Sequence, residues 1–267
     1  MEPVEQLARK LNTISVTSND VNILLLGETG VGKSTFINAF ANYIEYDNFN
    51  FAEREQVRVL IPARFTITDE KFVSQTIAIG KDANENEEMT QSGTQGARSY
   101  VFPIPRNNTR IRLIDTPGIG DTRGIDQDQE NFENILAYIG NLEHLHAVCF
   151  LLKPNQPRIT VFFEFCLKAL LSRLQKDASK NIIFLFTNGR GTRYKPEETM
   201  PALKKVLDAI WKKPPYVEIK MERNNVFCLD NEAFRFMVAC KENVKFSNNE
   251  RKNFAQSWDL AVKECWR

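Results

Sequence analysis

The chain has 267 residues, of which 42% are hydrophobic and 26% are charged, as in globular proteins of one or two domains. Its formal net charge of +1 argues against nucleic acid as a partner. Because no apolar run is long enough to span a bilayer and no signal-peptide pattern begins the sequence, we expect a cytoplasmic protein with reduced cysteines.

The predicted elements alternate between helices and buried strands. Residues 1–17 are predicted to form a helical extension, and residues 18–267 a single domain. The first strand is predicted at 21–26 and the first helix at about 33–44, after which a long segment at 45–93 interrupts the alternation. Further strands are predicted at 58–62, 63–68, 99–102, 110–115, 147–152, 181–186 and 226–229, and further helices at about 126–141, 159–176, 197–212 and 248–265.

Continuous apolar strands separated by helices are typical of parallel strands covered on both faces. The sequence therefore predicts an α/β fold, in which a three-layer, doubly wound, mostly parallel sheet binds its ligand at the carboxyl ends of the strands. The two strands between residues 99 and 115 are predicted to form a hairpin, which would add an antiparallel pair.

The residues from 27 to 34, Gly-Glu-Thr-Gly-Val-Gly-Lys-Ser, fit the P-loop pattern and lie between a predicted strand and a predicted helix. Glycines let successive backbone N–H groups point at phosphate oxygens. Lys33 is expected to contact the β- and γ-phosphates, and Ser34 to bind Mg²⁺. The nucleotide-binding residues predicted here are Glu28, Thr29, Gly30, Val31, Gly32, Lys33, Ser34 and Thr35.

A second phosphate motif, Asp115-Thr116-Pro117-Gly118, follows a predicted strand and fits the D-x-x-G element of P-loop GTPases. Asp115 is expected to hold Mg²⁺ through water, and the Gly118 N–H to contact the γ-phosphate. Thr94, with Thr90 as the alternative, is the candidate that senses both Mg²⁺ and the γ-phosphate. The predicted catalytic set is Lys33, Thr94 and Gly118, and the predicted metal set is Ser34, Thr94 and Asp115.

The P-loop, Thr94 and the run from 115 to 122 together resemble the septin-like GTPase group, most of all the AIG1/GIMAP type, with chloroplast outer-envelope import receptor GTPases as relatives. The resemblance covers about residues 18–235. It implies a P-loop NTPase G domain with GTP or GDP and Mg²⁺ as ligands. It also implies a homodimer or self-assembly through the nucleotide face, and membrane association through regions outside this chain.

The usual guanine-binding motif, N/T-K-x-D after the fifth strand, is incomplete here. Thr187 fits its first position, but Arg190 stands where an aspartate would accept hydrogen bonds from guanine, and arginine has no acceptor. The resemblance favours guanine held by Asn188 and by Asn231, with Asp230 as another candidate acceptor. The alternative is relaxed base selectivity that admits ATP.

The sequence leaves the rate of hydrolysis open. Ile119 and Gly120 follow the D-x-x-G element, where Ras-like enzymes carry a glutamine. We therefore expect a slowly GTP-hydrolysing molecular switch that dimerisation accelerates, with Arg123 as a candidate charge-neutralising residue. The alternative is a nucleotide-locked assembly scaffold with negligible turnover.

Overall fold

The computed structural model describes residues 20–68, 72–80, 96–104, 108–118, 125–142, 144–173 and 176–267. The expectations for residues 1–17, Thr90, Thr94 and Arg123 lie outside these ranges. The strands are β1 (Asp20–Gly27), β2 (Ala63–Thr68), β3 (Ser74–Ile79), β4 (Arg98–Ile104), β5 (Thr109–Asp115), β6 (Ala147–Leu152), β7 (Ile182–Phe186) and β8 (Val226–Cys228). The α-helices are α1 (Lys33–Tyr43), α2 (Phe49–Arg54), α3 (Ile125–Gly140), α4 (Val161–Leu171), α5 (Thr199–Lys212), α6 (Glu232–Lys241) and α7 (Asn248–Cys265).

Six of these strands form one sheet in the order β4-β5-β1-β6-β7-β8. All neighbours are parallel except β4 and β5, which form the predicted antiparallel hairpin. Leu24 in the central strand pairs with Ile114 on one side and Val148 on the other. The predicted doubly wound, mostly parallel sheet is confirmed, and its carboxyl edge carries the loops that follow β1, β5, β6, β7 and β8.

Both faces of the sheet are covered, which explains why its central strands are apolar throughout. In β6, Phe150 packs in a core with α3, α4 and α5, whereas Leu151 packs in a second core with α1, α6 and α7. The second core includes Trp258, whose Nε1 donates to the Tyr46 carbonyl. Within the described ranges, every helix is too short or too polar to span a bilayer.

The strand predicted at 58–62 is wrong, because side chains of α1 replace a partner strand there. The Asn38 side chain accepts from the N–H groups of Leu60 and Ile61 and donates to the Ile61 carbonyl. Asn42 accepts from the Arg58 N–H and donates to its carbonyl. These bonds satisfy the backbone of an extended segment without a sheet and lead it directly into β2.

Other differences concern segments that periodicity alone did not resolve. The sequence pattern does not predict β3, which is apolar only in its second half and mostly exposed; it pairs antiparallel with β2 in a separate two-stranded sheet. Nor does it predict α2, which is short, or α6, which follows β8 closely. α4 is shorter than the predicted 159–176, since it ends at Leu171 with Ser172 as its C-cap.

We predict that Asn38→Leu lowers the free energy of unfolding by about 3 kcal/mol, because buried N–H and C=O groups of the 60–61 backbone lose their partner. Urea denaturation would measure the change. Asn249→Leu, at an exposed position of α7, is the matched control and is expected to stay within about 0.5 kcal/mol of the wild type. Equal effects of the two substitutions would contradict the role given to Asn38.

Candidate nucleotide-binding site

The loop between β1 and α1 has the backbone conformation that its glycines allow. Gly30 and Gly32 have φ values of 73° and 100°, in the left-handed region that side chains rarely adopt. Gly32 is also the N-cap of α1 and leaves the first N–H groups of the helix without a side-chain cap. A helix N-terminus next to such a loop is a site suited to phosphate.

Lys33 lies beneath this loop, with only 7% of its surface exposed. Its Nζ donates to the carbonyls of Gly27, at 2.8 Å, and Glu28, at 3.3 Å. Burial lowers the pKa of Lys33 to about 8, while the carboxylates of Asp115 and Glu28 act in the opposite direction. A buried cation of this kind would be stabilised by a phosphate anion in the loop.

The Asp115–Gly118 segment lies directly against the P-loop. Asp115 is buried at the end of β5, and Thr116 fixes the turn by donating its hydroxyl to the Leu25 carbonyl at 2.7 Å. A Cβ on Gly118 would lie 2.2 Å from Thr29 Oγ1 and 2.7 Å from Thr29 Cα, so no larger residue fits without movement. The two predicted phosphate motifs are therefore in van der Waals contact.

The side-chain oxygen atoms where the two motifs meet fit a phosphate that is accompanied by a divalent cation. Thr29 Oγ1 is buried and has no hydrogen-bond partner among the described residues. Ser34 lies in the first turn of α1, and Asp115 is close enough to Lys33 to affect its pKa. A hydroxyl and a carboxylate are ligands that Mg²⁺ accepts in proteins. Ser34 and Asp115 would hold the ion, and Thr94 stays a prediction.

The Thr187 hydroxyl is bonded to the P-loop. This buried hydroxyl donates to the Val31 carbonyl at 2.7 Å, and the Leu152 carbonyl lies 3.3 Å away. The next residue, Asn188, is exposed and left-handed, with a φ of 54°. Thr187 thus holds the P-loop to the end of β7, and Asn188 is the residue of this pair that a base could reach.

Asp230, the other candidate acceptor for the base, joins two neighbouring loops. Its Oδ2 accepts from the Arg190 N–H at 2.8 Å and its Oδ1 from the Glu232 N–H at 2.7 Å. Burial raises the pKa of Asp230, and these two N–H groups oppose the shift. The Arg190 guanidinium lies over the Phe254 ring, 4.4 Å from its centroid.

A cleft of about 340 Å³ extends from the P-loop to the first turn of α6. It brings together the predicted Thr187, Asn188 and Asn231 with P-loop residues. Sequence reasoning missed the lining residues from β2 and α6. β2 lies in the long segment at 45–93, to which no binding role was given, and Glu232 and Arg235 follow Asn231 at helical spacing. The described lining residues are Gly30, Gly32, Thr35, Ala63, Arg64, Phe65, Lys153, Thr187, Asn188, Asn231, Glu232 and Arg235.

We predict that Gly118→Ala lowers the free energy of unfolding by about 1–3 kcal/mol, because the added methyl group overlaps the backbone at Thr29. Adding Thr29→Ala would not restore stability, since the clash with the Cα of residue 29 remains. Gly140→Ala is the matched control, because a Cβ there meets no atom within 4 Å. Denaturant unfolding that ranks both glycine variants equally would contradict the close approach.

Comparisons with known proteins agree with this geometry. Residues 22–188 match the family model described as 50S ribosome-binding GTPase. GTP-binding protein A of Dictyostelium discoideum is 22% identical over 186 residues, which cover 70% of this chain and 32% of that protein. The chain therefore spans about a third of the length of this curated relative.

Solved structures of GTPases are similar to the chain at low sequence identity. Toc33 from Arabidopsis thaliana in complex with GDP and Mg²⁺ is 16% identical, with 86% of this chain and 77% of that chain covered and a TM-score of 0.41. The septin GTPase domain from Chlamydomonas reinhardtii is 14% identical, with 86% and 71% covered and a TM-score of 0.38. Since the family model matches more than half of its residues, the chain belongs to the 50S ribosome-binding GTPase family of P-loop GTPases.

Proposed function

We propose that this protein is a molecular switch that binds GTP with Mg²⁺ and slowly hydrolyses it to GDP and phosphate. The contact between Gly118 and Thr29 is the observation that carries the proposal. It joins the D-x-x-G segment to the P-loop, so that both motifs would meet a phosphate bound there. Loss of the γ-phosphate would remove one partner of the Gly118 segment and release it.

Each residue of the phosphate end has a part in this proposal. The N–H groups of the P-loop and of the α1 N-terminus would orient the phosphates. Lys33 would exchange its carbonyl partners for phosphate oxygens and neutralise charge that develops in the transition state. Bound Mg²⁺ would supply further charge neutralisation, held by Ser34 and Asp115, and Thr94 is proposed as the residue that senses it.

A homodimer across the nucleotide face, as in the AIG1/GIMAP type that the sequence resembles, is part of the proposal. An apolar surface beside the P-loop supports it. Glu28 accepts from the Thr160 hydroxyl at 2.6 Å, and α4 begins immediately after with Val161, 86% exposed, and Phe165, 51% exposed. We further propose a cytoplasmic protein that reaches membranes through regions outside this chain.

Slow turnover is proposed because a residue that orients water is missing from its usual place. The sequence continues from Gly118 into Ile119, where a glutamine would assist hydrolysis. A scaffold that is locked by nucleotide would share every binding contact and differ only in turnover. Measured turnover therefore separates the switch from the scaffold.

We predict that Lys33→Ala abolishes the thermal stabilisation that GDP or GTP with Mg²⁺ gives the wild type. Ligand at a hundredfold excess over its dissociation constant adds about 2.7 kcal/mol to the stability of a protein that binds it. Lys213→Ala, at an exposed position, should keep the full shift. An unchanged shift in Lys33→Ala would refute the phosphate site, and equal shifts with ATP and GTP would refute guanine selectivity.

We also predict that single-turnover GTP hydrolysis per protein molecule speeds up as protein concentration rises, since a dimer forms by mass action. Val161→Asp should flatten this dependence, because it places a charge on the proposed apolar interface. Val73→Asp, which is also exposed but lies in the β2–β3 hairpin, is the control. A rate that is independent of concentration would exclude the dimer, and turnover no faster than that of Lys33→Ala would favour the scaffold.

A further inference from the structure

The start of α6 lines the same cleft as the P-loop and carries neighbouring acceptor groups, Asn231 and Glu232. We infer that Glu232, assisted by Asn231, selects guanine by accepting hydrogen bonds from its N1–H and N2 amino groups. The inference rests on the proposed GTP-binding function and names the residue that gives it base selectivity.

The position that usually supplies the acceptor for guanine, residue 190, cannot do so in this chain. Arg190, which stands there, has no acceptor, and its guanidinium is held over the Phe254 ring at 4.4 Å. Asp230 is 2% exposed, and both of its oxygens accept from backbone N–H groups. Neither Arg190 nor Asp230 is among the described residues that line the cleft, so a residue that does line it is better placed to accept from guanine.

Glu232 is the acidic residue among the described residues that line the cleft. Its backbone N–H is fixed by Asp230, and its Oε1 accepts from Arg235 Nη1 at 2.6 Å. This leaves Oε2 with no hydrogen-bond partner among the described residues. The side chain is 37% exposed, so the carboxylate remains accessible from the cleft.

Arg235 holds that carboxylate in place from one turn further along α6. Its guanidinium lies over the Phe65 ring, 4.7 Å from the centroid, and both side chains line the cleft. A planar guanidinium that stacks and forms an ion pair is more restricted than an isolated side chain. Arg235 is thus a positioning residue, which links β2 to the acceptor on α6.

Asn231 supplies a second, independent indication of a ligand. It is 5% exposed and lines the cleft, yet its Oδ1 is buried and has no hydrogen-bond partner among the described residues. A buried acceptor without a donor is costly. A ligand that brings donors would remove this cost.

Guanine matches this arrangement and adenine does not. Guanine presents the N1–H and N2 amino donors side by side, whereas adenine presents an acceptor at N1 and no amino group at C2. Adenine in the same pose would therefore place its N1 acceptor against the acceptors of Asn231 and Glu232. Asn231 and Glu232 accordingly disfavour ATP, since two hydrogen-bond acceptors would face each other with no hydrogen between them.

The sharpest test exchanges guanine for xanthine, which has a carbonyl where guanine has the N2 amino group. In Glu232→Gln the amide oxygen still accepts from N1–H, while the amide NH₂ can donate to the xanthine carbonyl. We expect this variant to bind GDP about 10- to 100-fold more weakly than the wild type, as for loss of a good bidentate pair. Xanthosine diphosphate (XDP) should bind the variant more tightly than it binds the wild type, so the GDP:XDP preference reverses. Equilibrium binding of both nucleotides in the presence of Mg²⁺ measures this preference.

Glu242→Gln, at the exposed C-cap of α6, is the matched control and should keep the wild-type preference. An unchanged GDP:XDP ratio in Glu232→Gln would overturn the inference. A gain of XDP binding cannot come from misfolding, so it would support the inference directly.

A second measurement uses the wild type alone, so its outcome does not depend on whether a variant folds. IDP lacks the N2 amino group, so the wild type should bind it about 10-fold more weakly than GDP, the loss of one hydrogen bond to a charged group. Equal affinities for IDP and GDP would overturn the role of Glu232. Failure of the wild type to bind either GDP or GTP would instead overturn the proposed function.

Discussion

The carboxyl edge of the sheet depends on side chains that tie one strand-end loop to the next. Thr116, after β5, donates to β1, and Thr187, after β7, donates to the P-loop. Asp230, after β8, accepts from the loop that follows β7. These residues are buried, so each bond is made away from competing water and fixes backbone that would otherwise be exposed loop. Of these bonds, the one from Thr187 holds the P-loop itself, and the one from Thr116 holds the strand that leads into it.

This network explains how the site can carry a buried cation. Lys33 occupies a position where burial lowers its pKa, and it is retained there by the carbonyls of the loop that it supports. A phosphate bound in the loop would stabilise this cation. Because the Gly118 segment lies against the loop, the proposed coupling between phosphate binding and the position of that segment would act through direct contact.

The candidate site is built differently where it would hold phosphate and where α6 lines it. At the phosphate end, the groups that would bind the ligand are mostly backbone N–H groups, so glycines and a helix N-terminus are enough to form the site. At the other end, side chains from β2 and α6 meet, and Phe65 is carried there by a segment that Asn38 and Asn42 hold to α1. Arg190 lies outside this arrangement, because its guanidinium packs on Phe254 of α7.

Local patterns predicted the elements whose causes are local. The buried strands, α1 and α7 follow from apolar runs and helical periodicity. The extended segment at 58–62 could not be assigned in this way, since the partner groups that keep it from being a strand lie 16 to 23 residues earlier, on α1. β3 gave no clear signal either, because its pairing with β2 rather than its half-polar composition makes it a strand.

The same division holds for function. The sequence by itself determined the phosphate chemistry, since residues 27–34 are contiguous and their glycines, lysine and serine require only a strand before them and a helix after them. Only the tertiary structure decided that Asp230 is a structural acceptor, that Arg190 lies on Phe254, and that Glu232 and Arg235 line the cleft. Those roles depend on contacts between residues far apart in the chain, which no local pattern specifies.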